Sequence, residues 1–414
     1  MVLLNITLNS RQVEWEHFIN PLDDNLWGQN SDVNWMQGSW VKTLDHPKQL
    51  TDSNPWIPLD PGKAEGMIRR DSQTVLEIIG ALFSWRVCAI SQLQAGLAPH
   101  GAPDFDRTQP NLYGALLRLG IINVGFSKRE AFGLTQVPEV WASMGGSLKF
   151  TKHLTDILNM PAWTRSLITN GRFGGVKIHA RHNTLTAHVG LTFSKDERVR
   201  FVSGDGWGRF RDLDPQAIAE IGGMGINSAD AIAFMKNGAT VALETQIHAN
   251  DLKKKLEAWC RFLVYSPMSR RGLLCVWLQA PSAQGCSYGN FLSVFEPARD
   301  MQGMTAGNPT VASRMGLARW NEWYDEKGLP TERFGEYMDM FGNRQSIYDP
   351  KWMQYAPPQQ PFINVNEWGW RLMEDQIRRE WNWDVTRWVK PDAMRGGFFG
   401  FIGSEIREEE RKRG

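Results

Sequence analysis

Residues 229–247 read Ala229-Asp230-Ala231-Ile232-Ala233-Phe234-Met235-Lys236-Asn237-Gly238-Ala239-Thr240-Val241-Ala242-Leu243-Glu244-Thr245-Gln246-Ile247. Two apolar, β-branched runs flank Lys236-Asn237-Gly238, a tight-turn signal, so the stretch predicts a β-hairpin. The hairpin brings Asp230, at the start of its first strand, back towards Glu244, near the end of its second. Two carboxylates at one sheet edge suit a Mg²⁺ ion that activates water for attack on a phosphodiester.

Working outward, a helix is expected over Asp251–Tyr265, apolar at Leu252, Leu256, Trp259, Cys260 and Leu263. A buried-type strand, Gly272–Leu278, follows it. Upstream come a helix from His182 over Asn183–Leu191, a strand at Arg198–Ser203 and a short helix at Ala217–Ile221. The order helix, strand, strand, strand, helix, strand is that of a PD-(D/E)XK nuclease core, parts of which other α/β folds share. Such a motif places Lys two residues after the Glu, and here that residue is Gln246. The nearest replacement is Lys255, one turn into the following helix, whose ammonium could stabilise charge developing on a phosphorane. The candidate catalytic set is Asp230, Glu244, Gln246, Lys255 and His182, with Asp230 and Glu244 as metal ligands. His179, His182 and His188 lack the spacing of a zinc site. The same residues also suit a fold that only binds, or polar positions on a half-exposed strand beside a solvated helix face.

A second block lies at residues 67–135. Asp71–Ser72 is a candidate N-cap pair, and Val75, Ile78, Ile79, Leu82 and Phe83 make a one-faced helix. A short helix follows Ser91, and a third, with Leu112, Ala115, Leu116 and Leu119 on its apolar face, ends at Gly120. Ile121–Phe126 and Ser127-Lys128-Arg129 look like a strand and wing. Three helices and a wing make a winged helix-turn-helix, a module used for DNA or for protein contacts. Its DNA-facing candidates are Gln109, Asn111 and Arg118 on the third helix, and Lys128 and Arg129 on the wing.

The flanks are set apart by tryptophan. Of 19, five precede residue 60 and eight fall between Trp320 and Trp388. These segments either pack back on their own chain or clamp a partner or sister subunit. Residues 1–66 carry four Lys/Arg against nine Asp/Glu, read as an extended acidic arm. Residues 136–180 read as a helical linker, 181–285 as the nuclease-like core and 286–414 as a helical, Trp-rich region. That last region includes amphipathic stretches at Ala312–Lys327 and Glu367–Trp381, and a charged tail over Glu405–Arg413. The fold class expected is thus a mixed α+β or α/β multidomain chain.

A net charge of +1 gives no global attraction to nucleic acid. No apolar run is long enough to span a bilayer, and no secretory leader is evident. The cysteines Cys88, Cys260, Cys275 and Cys286 form no Cys-x-x-Cys pair, which suits reduced core thiols of a cytoplasmic protein. The glycine runs at 222–225 and 396–400 lack the context of a phosphate loop.

Arg181-His182 before Asn183-Thr184-Leu185-Thr186-Ala187, Ser228-Ala229-Asp230-Ala231, Val241-Ala242-Leu243-Glu244-Thr245 and Lys255-Leu256-Glu257-Ala258-Trp259 together resemble the replication-relaxation type of protein of actinobacterial plasmids, integrative elements and phages. The resemblance covers about half of the chain, near residues 70–280. It implies a winged helix ahead of a nuclease-like core, a DNA-linked role in replication or mobilisation, and Asp230, Glu244 and Lys255 at the matching positions. Gln246 and the Trp-rich flanks depart from the pattern. The other reading is an assembly protein, for example a virion component, that uses the core as a scaffold and the Trp-rich arms for subunit contacts.

Overall fold

A computed structural model describes residues 33–45, 47–96, 102–127, 139–145, 179–205, 229–235, 239–247, 252–265, 273–280 and 310–355, with a few short stretches and single positions before and between them. The helices read at Ala217–Ile221 and Glu367–Trp381, the wing residues Lys128 and Arg129, Cys286, both glycine runs and the charged tail lie outside these residues. The chain divides into two compact units, one built mainly from residues 23–187 and the other mainly from 188–365.

In the first unit a short antiparallel pair, Thr7–Leu8 with Arg11–Gln12, precedes strand β1 (Val33–Met36) and helices α1 (Gly38–Lys42), α2 (Lys48–Ser53) and α3 (Pro61–Arg70). They are followed by α4 (Ser72–Trp85), β2 (Val87–Ala89), α5 (Ile90–Gly96), α6 (Leu112–Arg118), β3 (Ile122–Ser127) and β4 (Val140–Met144). Its sheet is antiparallel, in the order β1-β3-β4-β2. Where an irregular arm was expected up to residue 66, the segment 33–70 is a strand and three helices. Asp60 caps α3 by accepting from the Gly62 amide at 2.9 Å, and Pro61 supplies the fixed φ of a first helical position. Arg69 and Arg70 face the negative end of the helix dipole. Asp71, expected to cap α4 with its side chain, makes no such cap and instead ends α3 through its amide on Met67 O.

Helix α6 is the centre of this unit, and all of its residues are buried. Helices α1 and α3 pack on it, and the Asn111 amide donates to Trp56 O at 3.1 Å. Trp56 and Ile57 are buried on the way into α3. A Cβ on Gly114 would collide with Trp56 O, so only glycine lets the chain pass this close. Gly120, at φ 76°, ends the helix in the left-handed region.

The second unit carries a seven-stranded mixed sheet. Its strands are β5 (Val199–Gly204), β6 (Ala231–Met235), β7 (Thr240–Gln246), β8 (Leu273–Gln279), β9 (Met315–Arg319), β10 (Glu336–Asp339) and β11 (Arg344–Ser346), in the spatial order β11-β10-β9-β8-β7-β6-β5. The pairs β7/β8 and β8/β9 are parallel and the others antiparallel. Helix α7 (Ala180–Lys195) divides between the two units after Ala187. Helix α8 (Leu252–Tyr265) is the crossover from β7 to β8. Its Leu252, Leu256, Trp259, Cys260 and Leu263 join Ala242, Cys275, Trp277, Met315 and Leu317 of the sheet in one core.

The sheet extends beyond residue 285, where a helical region was expected. Ala312–Lys327 is not one amphipathic helix but a 3₁₀ turn (Val311–Arg314), strand β9 and a short helix, α9 (Trp320–Trp323). Pairing with the buried strand β8 outweighs the helical spacing of its apolar residues, and Gly316 gives the room β9 needs beside Met338 O. Trp320 and Trp323 are core residues. With Tyr324, Trp320 stacks around His188, whose Nε2 donates to Gly328 O at 2.8 Å. Cys88, Cys260 and Cys275 are free, buried thiols.

Two outcomes are expected. Burial lowers the His188 imidazole from its ordinary 6.5 to about 4. A neutral histidine held this way stabilises the fold fully above pH 6.5, and the contribution is lost as pH falls towards 4. Denaturant titrations should therefore lose about 3 kcal/mol across that window, and His188→Phe should flatten the profile. Gly114→Ala should cost about 1–3 kcal/mol by overpacking, read as a lower denaturation midpoint.

Candidate functional site

The hairpin β6–β7 sets the site. Its register pairs Ala231 with Leu243, and one step further the Asp230 amide donates to Leu243 O at 3.0 Å. Asp230 and Glu244 therefore face each other across adjacent strands on one side of the sheet. Asp230 ends the ladder, and its Oδ2 accepts the Thr245 amide at 2.7 Å.

Helix α8 lies over the same side. Residues 255 and 259 stand one turn apart on its inner face, and both reach Glu244. The Trp259 indole donates to Oε1 at 2.6 Å, and the Lys255 ammonium donates to Oε2. Lys255 Nζ is also 3.7 Å from Asp230 Oδ1. The sequence thus placed these three residues together correctly. What it missed is Trp259, read only as a core position, and Asp205.

Asp205 follows β5 one step beyond the pair Gly204–Ala231, so it ends the strand next to Asp230's own. Its charge acts on Lys255. An acid directly after a strand ending in glycine was the available signal, but only the register of β5 against β6 makes it point here.

Glu244 is completely buried, while the side chains of Asp230 and Lys255 are 12% and 28% exposed. Burial raises the Glu244 carboxyl above the ordinary carboxylate range, against the pull of the Lys255 ammonium and with the push of Asp230. For Lys255 burial acts to lower the amine, but Asp230 and Glu244 outweigh it and hold the ammonium. Both shifts describe one proton kept tightly within the pair.

The other sequence candidates have partners of their own. Gln246 is buried at the end of β7, where its carbonyl accepts the Ala280 amide. His182 belongs to the part of α7 in the first unit, beside Asn183 Oδ1 at 3.3 Å, and the carboxylates belong to the second. Asn111 caps α6 by accepting from the Gly114 amide, and its Nδ2 donates to Asp106 O. Arg118 is buried and donates to Leu59 O and Val41 O. Both therefore serve the fold and present no face to DNA. Gln109 is exposed, with its amide on Asp106 Oδ2.

Mg²⁺ takes oxygen ligands in octahedral geometry. Among the described residues no three His, Cys, Asp or Glu side chains are grouped so as to hold a metal ion. The space between Asp230 and Glu244 is taken by the lysine. As arranged, the Lys255 ammonium bridges the two carboxylates.

Trp259→Phe keeps the ring and removes the donor to a buried carboxylate oxygen. It should cost about 1–3 kcal/mol in urea denaturation, clearly more than Trp352→Phe, whose indole bonds the Ser346 carbonyl near the sheet edge. No protein-family model, no curated protein and no solved structure matches the chain, so its function has to be read from this geometry.

Proposed function

We propose that this chain is a DNA-associated protein of the replication or mobilisation type carried by plasmids, integrative elements or phages, with a nuclease-like core that engages DNA and cuts it slowly or not at all. The convergence of Asp230, Glu244 and Lys255 at the ends of β6 and β7, beneath α8, carries this reading. One ammonium beside two carboxylates is the equipment of a phosphodiester site. The order α7, β5, β6, β7, α8, β8 supports a PD-(D/E)XK-like core, and α4, β2, α5, α6, β3, β4 supports a winged helix. Contact with phosphate would fall to the Lys255 ammonium, with Asp230 as the carboxylate nearer to solvent.

The winged-helix part enters with a restriction. Helix α6, which would lie in a major groove, is covered by α1 and α3 of the same unit. Base reading by Asn111 and Arg118 is therefore no part of the proposal. Gln109, Lys128 and Arg129 remain as the proposed DNA contacts. Among the described residues no helix is long and apolar enough to cross a membrane.

One observation favours the assembly reading instead. Trp40 is 53% exposed on α1, and an exposed tryptophan is a common anchor between subunits. Trp27, Trp56, Trp320, Trp323 and Trp352 are buried, so the described tryptophans otherwise serve mostly as core.

The full chain should retard duplex DNA at low ionic strength, with and without Mg²⁺. The shift should weaken as salt is added, because phosphate contacts release counterions. Supercoiled DNA should persist through an incubation in which a metal-dependent nuclease would nick it. Absence of any shift at low salt would sink the DNA reading. If the chain then forms oligomers that Trp40→Ala dissolves, the assembly reading stands in its place.

A further inference from the structure

We propose that Lys255 is the built-in cation of the Asp230–Glu244 pair: its ammonium stands where a divalent ion would be needed, and the second unit keeps its carboxylates together without metal. The assignment concerns charges inside that unit, and DNA binding by the chain is not required for it.

The donors around the two carboxylates show why. Glu244 Oε1 is taken by the Trp259 indole and Oε2 by the Lys255 ammonium. Asp230 Oδ2 is taken by the Thr245 amide. The remaining oxygen, Asp230 Oδ1, faces the same ammonium at 3.7 Å. A divalent ion would have to displace chain donors from both carboxylates before it could bind them.

The lysine is also fixed from behind. Leu252 and Leu256, on either side of it along α8, are buried against the sheet. Trp259, one turn on, holds the other oxygen of the same carboxylate. Swinging Lys255 out would leave Glu244, which has no exposed surface, as a buried charge with one neutral donor. Such a charge is strongly disfavoured. Trp259 is thus a positioning residue: it orients Glu244 so that Oε2 meets the ammonium. The extra negative charge of Asp205 strengthens the hold on Lys255.

The proposal is tested on the full chain with Mn²⁺ alone as the probe, followed by electron paramagnetic resonance of free Mn²⁺ and by the melting temperature. Wild type should leave Mn²⁺ free and melt at an unchanged temperature. Lys255→Ala should melt lower without metal. With Mn²⁺ it should show a saturable rise, reflecting affinity at least about tenfold above wild type. Lys255→Ala combined with Glu244→Gln should lose that gain. Lys255→Met, which keeps the apolar stem, serves if the alanine variant does not fold, and folding of either variant only when Mn²⁺ is added also supports the proposal. The proposal is overturned if wild type binds Mn²⁺ saturably and Glu244→Gln abolishes it. It is equally overturned if a folded lysine variant takes up no more Mn²⁺ than wild type. Where neither variant folds, the wild-type measurement decides.

Discussion

A carboxylate with no access to water, held by two donors from one helix, is the constraint on which the second unit depends. Glu244 is charged or protonated only at the pleasure of Lys255 and Trp259, and both come from α8. Helix and hairpin are thereby locked in register: a slip of α8 by one residue would leave the carboxylate facing Leu256 or Ala258. Apolar packing alone is tolerant of small slides, whereas a buried ion pair is not, because breaking it exposes a full charge to a medium that cannot solvate it. The polar trio therefore contributes geometry to a core whose bulk stability comes from Leu252, Leu256, Leu263 and the sheet beneath them.

The same logic of close approach governs the first unit, with backbone in place of charge. Gly114 lets Trp56 O come down onto α6, and Gly38 does the same against Ile122 O. Arg118 then fastens two carbonyls of the covering segment, those of Val41 and Leu59. Helix α6 is thereby the spine of its own unit. The cover cannot be regarded as an appendage, since β1 is also a strand of the sheet and α1 follows it directly.

What could be read from the sequence was what its local patterns determine. The hairpin around Asn237, the apolar stripe of α8 and strand β8 were legible because each is fixed by neighbours in the chain. The meeting of Asp230, Glu244 and Lys255 was legible because a short turn and a short connection leave little freedom. Asp205 was not, since its relation to Asp230 depends on the pairing of strands far apart in sequence. The fate of Asn111 and Arg118 was hidden for the same reason: their partners Trp56, Leu59 and Val41 lie in a segment with too little periodicity to announce helices. Met315–Arg319 was misread because a Gly-containing strand between two sheet neighbours can imitate helical spacing over so few residues.

The strands of the large sheet stand in space in the order in which the chain produces them, from β5 at one edge to β11 at the other. No strand has to be inserted between two that are already paired. The hairpin β6–β7 can therefore form as a seed, and each later strand can dock on the growing edge as it emerges during synthesis. Pairings between sequence neighbours keep the entropy of loop closure low at every step. Two additions are parallel and need long crossovers, β7 to β8 and β8 to β9, and the helix that connects the first pair is α8. Chain growth thus delivers Lys255 to Glu244 before β8 closes the sheet beside it, so the charge is neutralised before it is sealed away.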